Sequence, residues 1–93
     1  MPFKKLVFRV HAIRRMFERG ISGNDVRAAL AQGEIIEKYD GDLPYPSYLV
    51  LGFIGEKALH VVAADNKQGP ETIIITVYEP DALQWQPGFR RRK

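Results

Sequence analysis

From residue 34 onward the chain is a series of strand-sized apolar runs joined by short links, and that pattern limits the fold more than any other feature. Residues 48–54 are almost wholly apolar. The turn Gly55-Glu56-Lys57 leads into 59–64, and 72–78 is dense in β-branched side chains. Such runs predict strands. Residues 34–39 alternate weakly and add a fourth. Links this short favour antiparallel neighbours, because parallel strands need a long crossover.

The first third has a different period. In HAIRRMFERG, residues 11–20, the side chains of Ile13, Met16 and Phe17 fall at i, i+3 and i+4, one helical stripe that Gly20 ends. Ile21-Ser22-Gly23-Asn24-Asp25-Val26 then starts a second helix. Ser22 is its cap and Asp25 a shorter-armed capping-box partner, with Ile21 and Val26 placed as a hydrophobic staple. That helix runs to about Gln32, turns Val26, Ala29 and Leu30 inward, and stops at Gly33. Residues 1–10 read as an extended lead-in, of which 5–10, KLVFRV, are strand-like or simply extended. Asp40-Gly41-Asp42 is a turn, Pro44 and Pro46 hold the chain extended, and 65–70 form a loop. After Pro80 the chain starts a helical turn and finishes as a basic tail over 88–93. The expectation is one α+β domain over 1–93, with two N-terminal helices packed on one face of an antiparallel sheet of about four strands.

Charge is unevenly spread. Residues 1–33 carry +5, 34–81 carry −6 and 82–93 carry +4. Two basic ends around an acidic middle suit a phosphate-rich partner, or form a solvated surface. The acidic stretch 34–42 is either where a basic partner segment docks or a solvated strand and turn. Cysteine is absent, which excludes disulfides and thiolate zinc sites and fits a reducing cytoplasm. No apolar run is long enough for a membrane span, and the N-terminus lacks the pattern of a secretory signal.

The first helix raises a question of chemistry. His11, Arg15 and Arg19 follow a four-residue step and stack in one row, with Arg14 and Glu18 beside them. Like charges at that spacing repel, so a polyanion would relieve a cost that one glutamate leaves standing. The plain alternative is an ordinary solvated face. A second histidine, His60, lies in an apolar strand, where a structural hydrogen bond is the common role. No HExxH pair, carboxylate cluster or Gly-rich phosphate loop occurs, so neither a metal nor another cofactor is expected. RNA cleavage through the 2′-hydroxyl needs no metal. It needs a base, an acid and cations around the phosphate. His11 or His60 can be base or acid, Arg15 and Arg19 can hold the phosphate, and Tyr78 can donate a proton or stack on a base. This chemistry requires the helix row and His60 to share one pocket. Arg14, Arg90, Arg91 and Arg92 are candidates for further RNA contacts.

The segments Phe8-Arg9-Val10-His11-Ala12, 15–22, Asp25-Val26, 46–49, Leu59-His60-Val61-Val62 and 76–81 together resemble a bacterial family catalogued as domain of unknown function 4258. That family is similar to the RelE/BrnT-like toxins, whose fold pairs an N-terminal helical part with an antiparallel sheet. The resemblance implies a metal-independent endoribonuclease toxin acting on mRNA, neutralised by a cognate antitoxin protein. Residues carried over on matching motifs are His11, Arg15, Arg19, His60 and Tyr78. The lysine-rich sites of some RelE relatives have no counterpart here. The alternative is a non-catalytic domain of the same fold that binds RNA or a protein. Exposed sheet edges are also ready sites for homodimer pairing.

Overall fold

The computed structural model describes residues 5–41, 45–66 and 69–93. Asp42 and Pro44 of the expected turn, Lys67 and Gln68 of the expected loop, and residues 1–4 of the lead-in lie outside them. The elements run β1 (Lys5–Phe8), α1 (Val10–Arg19), α2 (Gly23–Gln32), β2 (Glu34–Tyr39), β3 (Ser47–Ile54), β4 (Lys57–Asp65) and β5 (Glu71–Tyr78).

The helices form where the local signals put them. Gly20 ends α1 in the left-handed conformation, φ 67° and ψ 30°. There its N–H bonds to the Phe17 carbonyl, and the Ile21 N–H bonds to the Met16 carbonyl at 2.8 Å. This closes the helix end, and Ile21 packs in the same apolar cluster as Met16. Ser22 then starts α2 with the expected reciprocal capping box: each of Ser22 and Asp25 receives the other's backbone N–H at 3.0 Å. Val26, Ala29 and Leu30 are fully buried.

The sheet corrects the sequence reading. It has five strands in the order β1-β5-β4-β3-β2, and it is mixed rather than antiparallel. β2, β3, β4 and β5 pair antiparallel, as short links require. The extra strand is β1, inside the expected lead-in, which pairs parallel with β5 from Lys5 opposite Glu71 to Phe8 opposite Ile74. Its partner is the last strand in sequence, so no local turn signals the pairing. Both helices and three strands form the crossover that parallel pairing needs.

One face of the sheet carries the helices. Ala12 and Met16 of α1 join Val26, Ala29 and Leu30 of α2 over Val50, Leu59, Val61, Ala63, Ile74 and Val77. Gly52 lets α2 come close: a Cβ there would sit 2.4 Å from the Ala29 carbonyl oxygen. The inward stripe of α1 differs from expectation. Ala12 and Met16 are buried, but Ile13 and Phe17 are exposed. The small Ala12 lets the α1 backbone approach β5, and each residue step rotates the helix by about 100°. Centring the contact on Ala12 and Met16 therefore swings Ile13 and Phe17 outward.

Candidate functional site

The other face of the sheet is built by two β-bulges. In the β2–β3 pair, Ile35 lies opposite Val50, but Glu37 lies opposite Leu49, so Ile36 is the extra residue. In the β4–β5 pair, Ala63 faces Ile74 and Val62 faces Thr76, so Ile75 is extra. A bulge shifts the alternation of side chains by one. The result turns Glu37, Thr76 and Tyr78 to the face away from the helices, beside His60, Leu51 and Val62.

His60 is the centre of that face and is 0% exposed. Its Nε2 lies 2.9 Å from the Phe89 carbonyl oxygen, which can only accept. Nε2 therefore carries the proton, and Nδ1 accepts from the Tyr78 hydroxyl at 3.2 Å. Burial pushes the imidazole pKa below its ordinary value, although the Phe89 bond and Glu37 pull the other way. Burial likewise raises the Tyr78 hydroxyl. The pair is neutral, bonded and enclosed.

The enclosure is the C-terminal segment. Residues 88–93, expected as a basic tail, fold back across the sheet. Trp85 is buried and meets the His60 ring edge-on, centroids 4.4 Å apart. The Arg92 guanidinium lies over the indole at 4.6 Å and grips Glu37 with two bonds, at 3.2 and 3.3 Å. Trp85 pairs with Arg92 in an antiparallel bridge, flanked by bonds from Gln86 N–H to the Arg91 carbonyl and from Lys93 N–H to the Gln84 carbonyl. Arg90 forms an ion pair with Glu34. The Tyr39 hydroxyl donates to Glu37 at 2.5 Å. Burial disfavours the Glu37 carboxylate, but Tyr39 and Arg92 outweigh it and hold its pKa low. Burial and that carboxylate push the Tyr39 hydroxyl up to about 12. The acidic stretch does dock a basic segment, and the segment is the chain's own.

His11, Arg14, Arg15 and Arg19 stand elsewhere. All four are exposed on α1, across the sheet from His60. None makes an ion pair or side-chain hydrogen bond with a described residue. The structure thus brings together His60, Tyr78 and Arg92 and separates them from the helix row. The shared pocket of imidazoles and helix arginines that cleavage was expected to need is not formed. Arg90 and Arg92 are engaged by glutamates, and Arg91 has no described side-chain partner. Sequence reasoning missed Glu37, Tyr39, Trp85 and the Phe89 carbonyl. The charge complementarity between 34–42 and 88–93 was the one signal that pointed to them. Among the described residues, no three His, Asp or Glu side chains gather as a metal site would require. No described helix is long and apolar enough to cross a membrane.

The model of the family described as domain of unknown function (DUF4258) matches residues 8–79. The chain belongs to that family. The matched span of DUF4258 holds β1's end, both helices and the sheet, including His11, His60 and Tyr78, and stops before Trp85 and the arginines that enclose His60. No curated protein and no solved structure matches the chain.

Proposed function

We propose that this DUF4258 chain is a non-catalytic RNA-binding domain that holds single-stranded RNA along the cationic side of α1. One observation carries the reading. His11, Arg14, Arg15 and Arg19 stand exposed with no carboxylate partner among the described residues, whereas Arg90 and Arg92 are neutralised within the fold. A row of unrelieved like charges at four-residue spacing costs stability, and phosphates recover it. The other imidazole, His60, is engaged at both nitrogens and is closed to substrate.

The test is binding of a labelled single-stranded RNA across a salt series. About three or four phosphates on α1 give a log–log slope of roughly −2 to −3. Reversing charge at Arg14, Arg15 and Arg19 flattens that slope, and the RNA remains intact throughout. A slope unchanged by the triple substitution overturns the reading.

A second reading rests on the His60–Tyr78 bond: an RNA-cleaving toxin of the RelE/BrnT-like kind, with an antitoxin as partner. It requires the C-terminal segment to leave, since both ring nitrogens are occupied beneath Trp85. RNA ends bearing 2′,3′-cyclic phosphates, lost in His60→Ala, would favour it over simple binding.

A further inference from the structure

Single-stranded RNA offers a protein two surfaces, a charged backbone and the flat faces of its bases. The cationic side of α1 answers the first. Phe17, 88% exposed on the same helix, answers the second. Ile13 is exposed one turn earlier, and with Arg14, Phe17 and Glu18 it lines a shallow hollow of about 430 Å³. Each residue step turns the helix by about 100°, so Arg14 stands about 60° and Glu18 about 100° round from Phe17, on the way to His11 and Arg15. The hollow is therefore the border of the cationic side. Arg14 and Phe17 are three residues apart and neighbours on the helix surface, so a nucleotide held by its phosphate at Arg14 can lay its base on Phe17.

We infer that the hollow of Ile13, Arg14, Phe17 and Glu18 takes an unstacked guanine of the bound RNA, its face on Phe17, its phosphate at Arg14 and its Watson–Crick edge at the Glu18 carboxylate. This site rests on the RNA-binding reading of α1 and adds a base preference to it. Continuity with the cationic side selects RNA as the occupant, since the arginine that borders the hollow is one of those that hold the backbone. Glu18 selects the base. Its side chain is exposed and forms no ion pair with a described residue. By position it could relieve Arg14, but Arg four residues before Glu is the weaker order for such a pair. An ionised carboxylate has two acceptor oxygens and no donor. Guanine alone among the four bases sets two donors, N1–H and N2–H, side by side on the edge that RNA-binding proteins read in unpaired bases. Adenine, cytosine and uracil each set an acceptor beside the donor, and that acceptor would face the carboxylate. Beside His11, Arg14, Arg15 and Arg19 a carboxylate repels phosphates, so its place there suits a base edge better than a backbone.

The test uses the full chain and labelled RNA decamers: all uridine, or uridine with one central guanosine, adenosine or cytidine. The guanosine decamer should bind about fivefold or more tighter than the all-uridine one, the least that a base–aromatic stack contributes. Phe17→Ser should bring it down to the all-uridine level without changing the salt slope, because no phosphate contact is lost. Glu18→Gln should abolish the preference for guanosine over adenosine and cytidine. In NMR of the labelled wild-type chain, guanosine should shift the Ile13 and Phe17 ring and methyl signals more than uridine does. Both variants alter exposed side chains, and an unchanged melting temperature certifies the fold. Equal affinity for the four decamers, or a guanosine preference that survives Phe17→Ser or Glu18→Gln, overturns the guanine site while the arginine-dependent slope still stands. A slope that ignores charge reversal at Arg14, Arg15 and Arg19 removes the RNA reading and this site with it. Without a guanosine preference, concentration-dependent dimerisation abolished by Phe17→Ser would assign the hollow to a second copy, and Phe17-dependent binding to phosphatidylglycerol vesicles would assign it to a membrane surface. Either result overturns the site.

Discussion

His60 sets the pH behaviour of the fold. Its imidazole is neutral, donates to the Phe89 carbonyl from Nε2 and accepts from Tyr78 at Nδ1. Burial holds its folded pKa below the ordinary 6.5. The unfolded chain therefore takes up a proton that the folded chain refuses. That contribution is complete above pH 6.5 and is lost as pH falls from 6.5 toward the folded value. Melting temperature should drop between about pH 7.5 and pH 5.5, and His60→Gln should remove most of that drop. Glu37, whose pKa is lowered from 4.5, acts in a separate window at and below that value. An equal drop in the His60→Gln protein would place the titration elsewhere. Trp85 covers the same ring and is buried, so Trp85→Ala should cost about 3–5 kcal/mol in denaturant unfolding. Arg92→Ala should cost less, about 1 kcal/mol, because its guanidinium is more than half exposed and its pairing with Glu37 is screened.

At the scale of elements, two glycines separate backbone strain from close packing. Gly20→Ala meets no neighbour, so only the left-handed conformation resists it, at about 1–2 kcal/mol. Gly52→Ala drives a methyl group into the Ala29 carbonyl, where backbone must move. It should cost at least about 2–3 kcal/mol in thermal or chemical melts, and Gly52→Ala should be the worse of the two. Legibility in the sequence followed the range of the interaction. The Ser22 box, the Gly20 stop and the strands from β2 to β5 lie within a few residues of their signals, and they formed as expected. β1 went unrecognised as part of the sheet because its partner is β5, at the far end of the chain. The α1 stripe was misread because Ile13 and Phe17 outweigh Ala12 in hydrophobicity, yet the small residue is the one that permits contact. The bulges at Ile36 and Ile75 left no mark in the alternation, so the company His60 keeps could not be read from it.

Across the whole molecule, the two basic ends have different fates. The C-terminal one is spent inside the fold, where it neutralises β2 and closes the face that carries His60, Leu49 and Leu51. A chain ending at Pro80 should expose that apolar face. Dye binding and sedimentation should then show a loosened, associating protein, and a well-behaved monomer would contradict this account of the segment. The N-terminal basic region remains free on α1, on the opposite side of the sheet. That separation is the basis for assigning binding to α1 and a structural role to His60. The most direct measurement is an NMR titration of the labelled chain with single-stranded RNA at low salt. The account predicts that shifts gather at His11, Arg14, Arg15 and Arg19 while the His60 imidazole and Trp85 indole signals stay in place and the RNA stays whole. Shifts centred on His60, Trp85 and Arg92, or cleavage of the RNA during the titration, would contradict it.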